Sequence, residues 1–179
     1  MKWIGIAVAA LALLAILMAV IGAMLPKDHV ASRSATFKRP APEVYALITD
    51  VQRAPEWRTG LKRVDLQPPG DGGRVRFVEV GSQGAIAMEI LERVPDQRMV
   101  TRIADDSLPF GGGWTFELQP VAGGGTRLTI TERGEVKNVL FRFMSRFIFG
   151  HTATMDGFLK DAGRRFGEDV TLEPGTVSA

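Results

Sequence analysis

Residues 114–133 read WTFELQPVAGGGTRLTITER, and the rest of the chain can be placed around them. Trp114, Phe116 and Leu118 alternate with Thr115, Glu117 and Gln119. Beyond the turn at Gly123-Gly124-Gly125, Leu128 and Ile130 oppose Arg127, Thr129, Thr131 and Arg133. A period of two with one apolar face is the mark of a half-buried strand, and two such runs around glycines predict an antiparallel hairpin. The same period recurs upstream. Residues 98–103 put Met99, Thr101 and Ile103 on one face. Residues 85–93 turn Ile86, Met88 and Ile90 one way and Glu89 the other. Residues 74–80 set Val75, Phe77 and Glu79 against Arg76, Val78 and Val80. A further strand over 61–66 ends at the breaker run PPGDGG, residues 68–73, and shorter turns fall at 81–84 and 94–97. Strands in series with short turns predict a meander. Residues 104–113 read as its longest non-periodic connection, with an apolar tip at Leu108-Pro109-Phe110 and a turn at glycines 111–113.

Residues 29–38 predict a first strand whose better face carries Ala31, Arg33, Ala35 and Phe37. Pro40 and Pro42 break it, and Pro42 with Glu43 suits a first helical turn. Val44, Leu47 and Ile48 then give the stripe of a short helix, and residues 50–60 a second helical piece or turn. Past the meander the period changes. Residues 138–168 are helical, with Val139, Phe143 and Phe147 on one side, and later Met155, Phe158, Leu159, Ala162 and Phe166 against Asp156, Lys160, Asp161, Arg164 and Arg165. Gly150 is expected to bend or divide this helix.

The other decisive stretch is residues 3–25, WIGIAVAALALLAILMAVIGAML, without charge, Asn, Gln or proline. About 20 apolar residues cross the hydrocarbon of a bilayer as a helix. A buried core helix would carry some polar side. A cleaved signal peptide is the stronger competitor, but its apolar region is about 7–15 residues and ends at a small-x-small site. This run is longer and leads into Leu25-Pro26-Lys27-Asp28, so an uncleaved, single-pass anchor is expected. The basic flanks, Lys2 before and Lys27, Arg33, Lys38 and Arg39 after, give no clear orientation. Anchors of this class commonly leave the body on the non-cytoplasmic side. The expected division is an anchor over 1–26, one domain over 27–169 and a flexible polar tail over 170–179.

Composition excludes several classes. The net charge is +2, and setting Lys2 aside leaves 21 basic against 20 acidic side chains. That balance does not make a nucleic-acid footprint. Cysteine is absent, which removes disulfides and thiolate chemistry, and the two histidines, His29 and His151, are far apart. No usual zinc set, Gly-x-Ser-x-Gly elbow or phosphate loop is present, so no metal and no cofactor are expected. His151 has no evident orienting partner. Glu79 and Glu89 interrupt strand faces and are the other weak catalytic candidates, since a desolvated carboxylate can become a useful acid.

One strand, two small helices, an antiparallel run and a long C-terminal helix follow the helix-grip order, an α+β arrangement. The chain resembles the START-like (SRPBCC) superfamily, in its polyketide cyclase/dehydrase and lipid-transport branch. The match is best at Ala41-Pro42-Glu43-Val44-Tyr45 and Thr49-Asp50-Val51-Gln52-Arg53-Ala54-Pro55-Glu56-Trp57. It extends to the Trp114-x-Phe strand, the strand over 126–133 and the aromatic terminal helix, about residues 28–168 in all. The resemblance implies a curved sheet and a terminal helix around an apolar cavity. Its walls would be Phe77, Met88, Met99, Trp114, Phe116, Phe143 and Phe147, with Leu108 and Phe110 at an entrance. Trp57 reads as a plug between the small helices and the sheet, or as a lip of that cavity. Alternation alone does not separate wall from core filler, because both point inward.

The expected function is a membrane-anchored domain binding an apolar small molecule or lipid, with no specific reaction. Two alternatives stand beside it. One is a cyclase- or dehydratase-like enzyme acting on a bound apolar or aromatic substrate. The other is an envelope accessory that binds a protein partner through an exposed apolar patch near 108–110 or 141–149.

Overall fold

The structure is a computed structural model and describes residues 2–82 and 84–176. Helix α1 (Lys2–Met24) is apolar all round and exposed along nearly its whole length. It is long and apolar enough to cross a membrane. Only residues 25–27 separate it from β1 (Asp28–Phe37). Helix α2 (Ala41–Thr49) buries Val44 and Ile48, and a 3-10 turn (Val51–Glu56) follows, capped by the Asp50 side chain. The meander comprises β2 (Leu61–Gln67), β3 (Arg76–Gly81), β4 (Gly84–Val94), β5 (Arg98–Ile103), β6 (Phe110–Pro120) and β7 (Thr126–Val136).

Consecutive meander strands pair antiparallel, β1 closes the series beside β7, and a short β8 (Glu173–Pro174) lies on the far edge of β1, giving the order β2-β3-β4-β5-β6-β7-β1-β8. The sheet is open and curved. Its inner face carries Ala35 and Phe37 of β1, Leu128 and Ile130 of β7, and Phe116 and Leu118 of β6, all buried. Register shifts at Leu61/Arg63 and Ile90/Glu92 add to the curvature.

Glycines 111–113 belong to β6, where the sequence suggested a turn. A Cβ on Gly113 would stand 2.1 Å from the Thr101 carbonyl oxygen, and one on Gly112 would stand 2.2 Å from that of Arg133. Gly112 also has φ +117. Close neighbouring backbone, rather than chain reversal, is what these glycines serve. The other glycine run, 123–125, does turn the chain between β6 and β7.

The C-terminal helical region is divided as its glycine suggests. Helix α3 (Val139–Met144) continues into one π turn (Ser145–Phe149). Gly150, at φ 72, then redirects the chain into α4 (Ala153–Phe166). Helix α4 runs along β1, with Asp156 beside Arg33 at one end and the Phe166 ring 5.8 Å from Phe37 at the other. Asp161 departs from the helical-wheel reading. It is buried, and accepts from the Thr59 backbone N–H at 2.5 Å and the Thr59 hydroxyl at 3.1 Å, joining α4 to the corner before β2. Within the expected tail, β8 (Glu173–Pro174) pairs with β1 at Arg33 and Ser34, while residues 177–179 lie outside the described residues.

Candidate functional site

The inner face of the sheet is aromatic toward its middle and polar toward the N-terminal end of β1. Phe158 of α4 is the centre of the aromatic part. Its ring lies 5.1 Å from Trp57, 5.9 Å from Trp114 and 5.4 Å from Phe116. The two tryptophans meet it edge-on, the arrangement favoured by the ring quadrupole. The Arg58 guanidinium sits 5.3 Å from the same ring and pairs with Glu79. Glu79 therefore does face inward, opposite Ile86, but its charge is matched by arginine.

Trp114 links the aromatic part to the polar part. Its Nε1–H donates to Glu132 Oε2 at 2.9 Å, and Glu132 Oε1 lies 3.1 Å from His29 Nε2. The His29 ring stacks on His151, with centroids 4.0 Å apart and planes 26° apart. Register explains the fit, because His29 stands opposite Gly134 in β7. A Cβ on Gly134 would meet His29 Cε1 at 2.3 Å, so the imidazole lies across bare backbone. Next to this cluster Arg33 Nε donates to Asp156 Oδ1 at 2.5 Å. Burial, and then the neighbouring His29, hold the His151 imidazole below the usual histidine range.

Among the described residues, two buried side-chain nitrogens lack a hydrogen-bond partner, His29 Nδ1 and Trp57 Nε1. Buried polar atoms are usually satisfied, so each is open to a water or a ligand. The Glu132–His29 pair is also the arrangement that orients an imidazole for proton transfer. Sequence reasoning missed both residues. His29 shares the parity of the inward set Ala31, Arg33, Ala35 and Phe37, and Glu132 that of Leu128 and Ile130. Polar residues at inward positions were the available signal.

The remaining expected site residues distribute unevenly. Phe77, Met99 and Phe116 are buried in the core, and Trp57, Met88 and Trp114 pack partly buried against it. Leu108, Phe110 and Phe143 are half-buried, whereas Phe147 is 59% exposed. Glu89 is on the outer face. It is 4% exposed, pairs with Arg102, and lies under the 68–73 turn, where a Cβ on Gly70 would come within 2.6 Å of its Oε1. His151 is not isolated, since His29 is its partner.

Two solvent-open grooves lie toward the C-terminal end of α4, away from the histidines. One, of about 500 Å³, runs between α2, the 3-10 turn and α4, past Leu47, Arg53, Trp57 and Phe166. The other, of about 520 Å³, passes Lys38, Phe166 and Glu168. Of the expected cavity residues only Trp57 borders either groove. Among the described residues, no group of three or more His, Cys, Asp or Glu side chains is arranged to hold a metal ion.

The fold has many solved relatives. A protein from Geobacillus kaustophilus superposes with a TM-score of 0.62 at 16% identity, over 80% of this chain and 99% of its own. A START superfamily protein from Mycobacterium smegmatis gives 0.58 at 16% identity, over 76% and 96%. The di-domain ARO/CYC protein StfQ of the steffimycin biosynthetic pathway gives 0.58 at 15% identity, over 77% of this chain and 52% of its own. At such identities the likeness is one of fold. No curated protein matches the sequence. The sequence itself matches the family described as polyketide cyclase / dehydrase and lipid transport over residues 28–166, from the first residue of β1 to the last of α4, and the chain belongs to that family.

Proposed function

We propose that this protein is a membrane-anchored START-like domain that takes up an apolar small molecule or lipid against the inner face of its sheet, with α1 as a single-pass anchor. The observation that carries the reading is the mixed character of that face. Trp114 touches Phe158, Met88 packs against the same core, and Ile86 and Ile103 lie half-buried on the same strand faces without being sealed in the core. Gly112, paired with Gly134, puts no side chain on the face beside the His29 ring, which itself covers Gly134. A hydrocarbon body laid there would gain about 25 cal/mol per Å² of apolar area removed from water. The Glu132, His29 and Arg33 end would orient a polar head. The two open grooves are not part of this reading.

The test is gentle extraction of the full-length chain, native mass spectrometry and identification of whatever small molecule accompanies it. A stoichiometric adduct that is lost in Trp114→Ala supports the reading. Repeated absence of an adduct, together with no uptake of lipid or aromatic probes, refutes it.

The oriented His29 favours one second reading, acid–base chemistry on the bound molecule as in a cyclase or dehydratase. Conversion of the co-purified ligand by the wild type, and not by His29→Gln, would select it. Retention of an unchanged ligand by both proteins would select binding alone.

A further inference from the structure

The segment joining the sheet to α4 is apolar on the side that faces away from the domain. Leu140 and Phe141 of α3, and Phe147 and Ile148 of the π turn, are 41%, 46%, 59% and 59% exposed. All four are open to solvent, two on either side of the junction between α3 and the π turn. The same segment is packed on the end of α1. A Cβ on Gly22 would come within 1.9 Å of the Val139 carbonyl oxygen, so the two helices touch backbone to backbone. Arg142, itself buried, fixes the contact. Its Nη1 donates to the carbonyls of Gly22 at 3.3 Å and Leu25 at 3.2 Å, and its Nε and Nη2 donate to those of Val136 and Lys137. A guanidinium is thus supplied to the open carbonyls of the α1 C-terminus, where positive charge is favoured.

From this packing we infer that α3 and the π turn form an interfacial membrane contact, with Leu140, Phe141, Phe147 and Ile148 inserted at the headgroup–acyl boundary of the bilayer that α1 crosses. The inference rests on the anchor reading of α1. A helix rises about 1.5 Å per residue, so Gly22 lies only about 3 Å short of the end of α1 at Met24. A helix of this length spans a hydrocarbon core of about 30 Å with little excess. The α3 contact is therefore level with the hydrocarbon edge, and an amphipathic segment at that level buries its apolar side about 5–10 Å deep. His151, beyond the Gly150 bend, joins this segment to the His29 end of the inner face.

The chain has no cysteine, so single-cysteine variants give clean labels. Phe141→Cys and Ile148→Cys, both exposed, would be labelled with a polarity-sensitive fluorophore. The full-length chain would be reconstituted in vesicles of equal parts phosphatidylcholine and phosphatidylglycerol. Leu13→Cys within α1 and Lys62→Cys on exposed β2 are the references. The expected result is blue-shifted emission at 141 and 148 that is quenched by spin labels shallow on the acyl chains, with quenching at 13 by deep labels and none at 62. Quenching at 13 with water-like emission at 141 and 148 overturns the interfacial contact and keeps the anchor. Blue-shifted but unquenched emission at 141 and 148 also overturns it, and assigns the patch to a protein surface. Absence of quenching at 13 removes the anchor itself.

Discussion

Glu132 is the most exposed to loss among the polar groups, because one carboxylate serves two rings. Glu132→Leu leaves the Trp114 N–H and the His29 Nε2 without their acceptor in a half-buried site. Stranding such groups costs about 1–3 kcal/mol, which a lowered midpoint in thermal unfolding of the detergent-solubilised full chain would register. His151 gives a pH signature. Its folded state prefers the neutral ring, so as pH falls the unfolded chain takes up the proton first. The stability due to this group is complete above about pH 6.5 and is lost as pH drops toward the lower folded value. Unfolding midpoints followed from neutral to mildly acidic pH should fall more steeply in the wild type than in His151→Phe. Equal slopes would show that the ring is free to charge in the folded protein. Glu132 was not singled out in the sequence, and His151 stood there only as a weak catalytic candidate without an orienting partner. The two histidines are more than a hundred positions apart, and only strand register, with Gly134 leaving room, brings His29 against Glu132 and His151.

Strands and helices were far more legible than their junctions. Alternation in 74–133 sufficed for most of the meander strands, since a one-face pattern marks a half-buried strand. It failed at glycines 111–113, because a glycine in a strand and a glycine in a turn look alike until the neighbouring backbone is known. Gly113→Ala is a direct check. Its Cβ would meet the Thr101 carbonyl, which cannot move without breaking the β5–β6 ladder, and a loss of about 3 kcal/mol is expected in chemical denaturation. Phe158→Ala, at the junction of Trp57, Trp114 and Phe116, should cost about 3–5 kcal/mol and also abolish any co-purifying ligand. The apolar positions of α4 were readable from their spacing. Asp161 was not, because its burial depends on Thr59 rather than on the helix itself.

The contact between α1 and the domain rests on Arg142. Arg142→Ala would remove a guanidinium donor from four backbone carbonyls, of which Gly22 keeps the Leu25 N–H, and would remove the charge facing the end of α1. The backbone of residues 25–27, already exposed at Pro26 and Lys27, should then lose its fixed conformation, so limited proteolysis in vesicles is expected to release the domain several-fold faster than in the wild type. Arg142→Lys should rescue only part of the protection, because an ammonium lacks the fork that reaches all four oxygens at once. Equal proteolysis of all three proteins would mean that α1 is held by apolar packing alone. The apolar helix and the domain were each legible in the sequence. Their contact was not, because it depends on a glycine in one and an arginine in the other.

The connection over residues 25–27 extends at most about 10 Å. A domain on so short a stem has no radius of action. If α1 is the proposed anchor, the domain is unable to swing across a gap to a second membrane and would serve only the patch of lipid directly beneath it. On that reading, whatever it takes up would be delivered by lateral diffusion and collected by a partner that comes to it. The rate of such a system would follow the surface density of the protein rather than its concentration in the surrounding compartment.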